Sequence, residues 1–99
     1  MRYNFEWDLA KARQNLRKHH VSFKRAAMVF RDPHAVSIFD EEHSREEDRW
    51  ITMGTDHSGT ILVMIHTFRR IDESSYAVRI ISARKATKRE RVQYEEWEQ

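Results

Sequence analysis

Arg79-Ile80-Ile81-Ser82-Ala83-Arg84-Lys85-Ala86-Thr87-Lys88-Arg89-Glu90-Arg91-Val92-Gln93-Tyr94 decides how this 99-residue chain is read. It joins an apolar strand to a capped helix and carries six cationic side chains. Ile80 and Ile81 are adjacent, so in a strand they point to opposite faces, which predicts a central strand covered at least partly on both sides. An arginine at each end of such a strand is costly unless it faces a groove or a partner. Residues 79 and 84 are five positions apart, and a regular strand sends them to opposite faces. They share one site only if a bulge or the strand's end turns Arg84; otherwise one of them is structural, and Arg79 is the one to keep. Downstream, Thr87-Lys88-Arg89-Glu90 has the form of a capping box, so the final helix starts there. Val92, Tyr94 and Trp97 are its apolar content.

Working outward, the rest of the chain reads as alternating local patterns. Tyr3 to Trp7 alternates apolar and polar residues, a short first strand. Asp8 is a good N-cap for a helix whose face is Leu9, Ala12 and Leu16 and which should stop near His19-His20. Ser22 caps a second helix with the stripe Phe23, Ala26, Ala27 and Phe30, ended by Asp32-Pro33. Ala35 to Asp40, Arg49 to Thr55, Thr60 to Phe68 and Tyr76 to Arg84 read as strands. They are separated by an acidic loop (Glu41 to Asp48), a hairpin loop in which Gly59 can take positive φ, and a polar turn (Arg69 to Ser75). The expected architecture is a single α+β domain over residues 1–99: a short N-terminal strand, two helices on one face, a four-stranded antiparallel meander sheet and a C-terminal helix.

Composition bounds the function. Apolar residues make up 39% of the chain, enough for one modest core. There is no cysteine, which removes disulfide and thiolate chemistry, and no run of apolar residues long enough for a membrane span or a signal peptide. A cytoplasmic protein without membrane contact is the simplest expectation. Net charge is only +2, but it is segregated. Residues 1–31 hold eight Lys/Arg against two Asp/Glu, residues 32–56 hold two against eight, and residues 57–99 hold eight against six. A basic first third suits phosphates, or it is simply a solvated face.

The six histidines, His19, His20, His34, His43, His57 and His66, show no compact metal-ligand spacing, so no metal and no cofactor is expected. Neither a glycine-rich phosphate loop nor a serine-hydrolase elbow is present. What remains is acid–base work assisted by cations. Arg49, Arg69, Arg79 and Arg84 lie near strand positions, and guanidinium groups fork onto phosphate oxygens. His66 sits within a strand, where an imidazole serves either as a catalyst or as a hydrogen-bonded core residue. Glu47 is two residues from Arg49 and shares its side. Cleaving RNA needs one group to deprotonate the 2′-hydroxyl, cations around the phosphate, and another group to protonate the leaving oxygen. Glu47 or His66 is the candidate acceptor, and Tyr94 a weaker candidate acid. Lys11, Lys18 and Lys85 are candidate RNA contacts. Structural roles compete: Arg79 can pair with Glu47, Arg84 can neutralise acidic residues of the last helix, and the domain can be a non-catalytic module that binds RNA or an acidic protein.

The chain resembles the BrnT family, the toxin half of a bacterial type II toxin–antitoxin pair. The blocks that carry the resemblance are Phe5-Glu6-Trp7-Asp8, Lys11-Ala12, Asn15, Lys18-His19, Val21-Ser22-Phe23, Ala26 or Ala27, Val29-Phe30 and Asp32-Pro33, then His43-Ser44, Glu47-Asp48-Arg49, Gly54, His66-Thr67 and Arg69, and finally Arg79 to Arg84, Ala86-Thr87, Glu90-Arg91 and Tyr94. The resemblance implies a RelE-like fold, with helices on one side of an antiparallel sheet and an RNA-cleaving surface on the other. It implies a ribosome-independent endoribonuclease that arrests growth, and a BrnA-like antitoxin with a ribbon-helix-helix part through which operator DNA is contacted. Two departures stand out. His20 occupies the place of a usual glycine, which costs on the order of 1 kcal/mol if that residue is a left-handed helix stop. The turn from Arg70 to Ser75 is longer than the family's, beside Arg69.

Overall fold

A computed structural model describes residues 1–98. In chain order the elements are β1 (Arg2–Glu6), α1 (Leu9–His19), α2 (Phe23–Ala27) continued by a 3-10 turn (Met28–Arg31), β2 (Val36–Phe39), a 3-10 turn (Glu41–His43), β3 (Arg49–Thr55), β4 (Ile61–Thr67), β5 (Arg69–Arg70), β6 (Ser75–Lys85) and α3 (Lys88–Glu98). The α+β architecture stands, and the consecutive antiparallel pairs β2–β3 and β3–β4, closed by β4–β6, form the expected meander. The sheet is mixed, however. β1 adds to the far side of β6 in parallel, giving the order β1-β6-β4-β3-β2. The polar turn before β6 is also partly strand, because Arg69 and Arg70 pair with Ala77 and Tyr76.

Local signals explain the elements. Asp8 accepts the Lys11 amide at 3.0 Å and Ser22 Oγ accepts the Arg25 amide at 3.1 Å, so both early helices begin at side-chain caps; each cap contributes about 1 kcal/mol. His20 ends α1 at φ 59°, the left-handed stop anticipated for it, and its amide bonds to the Leu16 carbonyl at 2.9 Å. The second helix leaves α geometry after Ala27, and the tighter 3-10 turn drives Val29 into full burial. Val29, Asp32 and Ala35 press so closely on Gly54 that an added Cβ would sit 2.9–3.0 Å from each. Thr87 and Glu90 exchange both bonds of the capping box, at 2.8 and 3.2 Å.

One face of the sheet is packed under the early helices. Val21, Phe23, Ala26 and Val29 bury against Leu62, Met64, Ile80 and Ala83. Asn15 of α1 completes the strand edge that β1 does not reach: its side chain donates to the Ala83 carbonyl at 2.8 Å and accepts the Ala83 amide at 3.0 Å. On the other face Tyr94 of α3 covers Met53, Ile61 and Val63 at one end of the strands. The opposite end of that face, around Arg49 and Thr67, lies beyond this cluster.

A bulge in β6 fixes which side chains share the open face. Ile65 pairs with Ser82 but His66 pairs with Ile80, so Ile81 is an extra residue. The extra residue resets the alternation. Ile80 and Ala83 both enter the same core. Arg79 and Arg84, on the other parity of each half-strand, therefore both project to the opposite, open face.

Candidate active site

Three of the expected residues meet on the open face. Arg79 donates from Nη2 to Glu47 Oε1 at 2.5 Å, and Arg49 Nη2 stands 3.6 Å from the same oxygen. Glu47 comes from the loop before β3, Arg49 opens β3, and Arg79 lies on β6 beside Thr67 of β4, whose hydroxyl accepts the Arg79 amide at 3.3 Å. Arg69 joins by register: it pairs with Ala77, two residues from Arg79 on the same side of β6. The carboxylate is thus outnumbered by guanidinium groups. Arg49 Nε is buried and has no hydrogen-bond partner among the described residues. Such an orphaned donor is costly in isolation, and an anionic oxygen would satisfy it.

The loop beside this cluster is tied to it by backbone bonds. Asp40 donates its amide to the Arg49 carbonyl at 2.9 Å, and Ser44 Oγ accepts the Arg49 amide at 3.0 Å while donating to the Asp40 carbonyl. His43 Nδ1 bonds to Asp40 Oδ2 at 2.9 Å. His43, Glu47 and Arg49 line one cavity of about 280 Å³. The sequence reading weighed His66 alone among the histidines as a catalyst; the signal it passed over is Asp40-x-x-His43, a carboxylate one turn from an imidazole and just ahead of Glu47 and Arg49.

His66 does not join the arginines. It pairs with Trp50 and Ile80 and so lies on the helix-covered face, fully buried. Nδ1 donates to the Thr67 carbonyl at 2.9 Å, which leaves Nε2 to accept from the Thr52 hydroxyl at 2.6 Å. Burial lowers its pKa, against the opposing effect of the Thr67 carbonyl, so the ring is held neutral. It lines an aromatic cavity of about 280 Å³ with Tyr3, Phe30, Trp50 and Phe68, and no Lys or Arg lines that space. Tyr94 is also set apart. It is buried under α3 and donates to Asp32 Oδ2 at 2.5 Å. Burial of Asp32 works to raise its pKa, but bonds from Tyr94 and from the Thr55 and His34 amides outweigh this and hold the carboxyl below its usual range.

Arg84 shares the face of Arg79 but stands four β4 positions along, roughly 13 Å away. Its guanidinium is forked onto Glu90 at 2.7 and 3.0 Å, which holds Glu90 down at about 2 and fixes the start of α3. Lys11 and Lys18 line a groove of about 270 Å³ with Ile81 and Ser82, where α1 meets the edge of β6. Lys85 pairs with Leu62 and is exposed at the strand's end, on the helix side. Among the described residues, no three His, Asp or Glu side chains stand together as a metal-binding group.

Comparison with known proteins places the chain, not the details of this cluster, in a family. The model of the BrnT toxin family, described as the ribonuclease toxin BrnT of type II toxin–antitoxin systems, matches residues 7–90. The 1.1 Å crystal structure of the Brucella abortus ribonuclease toxin BrnT superposes with a TM-score of 0.61 at 20% identity, over 89% of this chain and 100% of that one. At that identity the likeness shows the shared fold alone. No curated protein sequence matches. With most of its length covered by the family model, this chain belongs to the BrnT family of ribonuclease toxins of type II toxin–antitoxin systems.

Proposed function

We propose that the open face is a metal-independent, ribosome-independent endoribonuclease site in which the substrate's own 2′-hydroxyl attacks the adjacent phosphate. The observation that carries this reading is the Glu47–Arg49–Arg79 cluster, with its surplus of guanidinium and the unsatisfied Arg49 Nε. Arg49 and Arg79, with Arg69 beside them, bind the scissile phosphate and stabilise the charge that grows on its oxygens. Glu47 takes the 2′-hydroxyl proton; in the free protein it is parked on Arg79, and the phosphate displaces it. Arg84 acts mainly by fixing α3 through Glu90, and His66 and Tyr94 support the scaffold. Lys11 and Lys18, with Lys85 on the helix side, guide the RNA backbone around the sheet edge.

This layout, with the early helices on one face and the proposed chemistry on the other, beyond the end that α3 covers, fits the RelE-like plan that the family resemblance implies, over a single domain spanning 1–99. The site works on cytoplasmic RNA. It is covered in the resting cell by a BrnA-like ribbon-helix-helix antitoxin, and operator DNA is reached only through that complex. The test uses purified protein in EDTA with two oligonucleotides, one all-ribose and one with 2′-deoxy sugars throughout. Cleavage of the ribose strand and sparing of the deoxy strand is the expected outcome. Cleavage of both, or activity only with added metal, overturns the mechanism.

A further inference from the structure

The proposed reaction lacks an acid. Both sequence candidates for proton transfer besides Glu47 are buried away from the arginines, and in an in-line displacement the 2′-oxygen and the leaving oxygen lie on opposite sides of phosphorus, so the carboxylate that takes the first proton is not placed to supply one to the second. We infer that His43, oriented by Asp40, is the general acid of the same site, an inference that rests on the ribonuclease reading above. Three observations carry it. His43 lines the cavity that also contains Glu47 and Arg49. Its Nδ1 is held by Asp40 at 2.9 Å, while Nε2 makes no hydrogen bond among the described residues and the side chain is 62% exposed. The position is also fixed: the Asp40 amide and Ser44 hydroxyl grip the Arg49 backbone on both sides, so the imidazole and the phosphate-binding guanidinium are set by one short loop.

The chemistry balances. The 2′-oxygen forms a bond to phosphorus as the bond from phosphorus to the 5′-oxygen breaks. The 2′-hydroxyl proton goes to Glu47. The imidazolium of His43 gives its Nε2 proton to the departing 5′-oxygen, and the Asp40 carboxylate keeps the ring oriented through Nδ1. The products are a 2′,3′-cyclic phosphate and a free 5′-hydroxyl, with Glu47 protonated and His43 neutral. Asp40 touches no reacting atom and is a positioning residue.

A leaving-group substitution separates an acid from a structural residue. Wild type, His43→Ala and Asp40→Asn are compared on RNA cleaved at one mapped bond and on the same RNA with sulfur replacing the 5′-bridging oxygen, since a thiolate departs without protonation. His43→Ala should slow the all-oxygen substrate by about 10²- to 10⁴-fold while changing the sulfur substrate by less than about tenfold. Asp40→Asn should show the same selectivity with a smaller loss. Equal slowing of both substrates makes His43 structural, and unchanged cleavage of the oxygen substrate removes it from the site; either overturns the inference. If wild type cleaves neither substrate, the ribonuclease reading falls and the acid falls with it. His43→Gln with a measured unfolding midpoint guards against misfolding: a folded but equally selective variant supports the role, and a folded variant as fast as wild type contradicts it.

Discussion

The two faces of the sheet solve the problem of polar side chains in opposite ways. On the helix-covered face, His66 is buried and both ring nitrogens are bonded, through a relay of Ser37, Thr52 and the Thr67 carbonyl at 2.6–2.9 Å. Nothing is left over for a substrate. On the open face, Glu47 is shared between two guanidinium groups, Arg49 keeps an unbonded Nε, and the Arg79–Glu47 pair is about 40% exposed on each side. A saturated network stabilises a fold, whereas an incompletely satisfied and solvent-accessible one binds something. The contrast supports the proposal that the first face is structural and the second carries the chemistry.

Arg79→Ala gives the sharpest break in that comparison. Cleavage should fall by about 10³-fold, the scale of removing a charged transition-state contact, while the unfolding midpoint shifts little because a half-exposed ion pair contributes no more than about 1 kcal/mol. The mirror experiment is His66→Ala, read by denaturant unfolding and by cleavage per folded molecule. Losing a buried ring and orphaning the Thr52 hydroxyl should cost about 2–3 kcal/mol, with cleavage at saturating fold within a few-fold of wild type. A His66 variant that is folded but inactive would erase the division between the faces.

These two experiments also separate what was legible in the sequence from what was not. The left-handed conformation at His20 is suggested only by the glycine that the family resemblance puts there. Capping residues and the bounds of β3 depend on neighbours a few positions away, and the chain displays them directly. So does the grouping of Glu47 with Arg49. The parallel addition of β1 to β6 is a pairing between segments some seventy residues apart, and alternation in Tyr3 to Trp7 specifies a period but no partner. The face of His66 depends on register with β3 and β6. The bulge at Ile81, which reconciles Arg79 with Arg84, becomes visible only when β4 is laid against β6. Once that register is known, Arg84 still turns out to be taken, because Glu90 of the adjoining capping box is within reach.

Acid titration probes a third region, the hairpin end of the covered face. Asp56 is buried, which works to raise its pKa, yet bonds from Arg25 at 2.5 Å and from Ser58 and Thr60 bring it down from 3.8 to about 2. A depressed carboxyl contributes stability that is complete above its unfolded value and is lost as pH falls toward the folded one. Stability should therefore drop between about pH 4 and pH 2, with Asp56 responsible for about 2 kcal/mol of it. His66 adds an earlier phase of the same sign. Its folded pKa lies below the ordinary 6.5, so the unfolded chain takes up that proton first as pH falls through the imidazole range. Asp56→Asn should flatten only the lower phase of a pH series of denaturant titrations. The smallest expected effect is at the helix stop. His20→Gly relieves a non-glycine residue at φ 59° and should raise the unfolding free energy by about 1 kcal/mol without changing cleavage.

The central claim, that the open face turns RNA's own 2′-hydroxyl on the neighbouring phosphate, is tested most directly by the ends of the fragments. Mass spectrometry of RNA cleaved by the wild-type protein in EDTA should show 2′,3′-cyclic phosphate on one fragment and a free 5′-hydroxyl on the other. Fragments ending in 3′-hydroxyl and 5′-phosphate would mean that water, not the sugar, attacks, and would contradict the account.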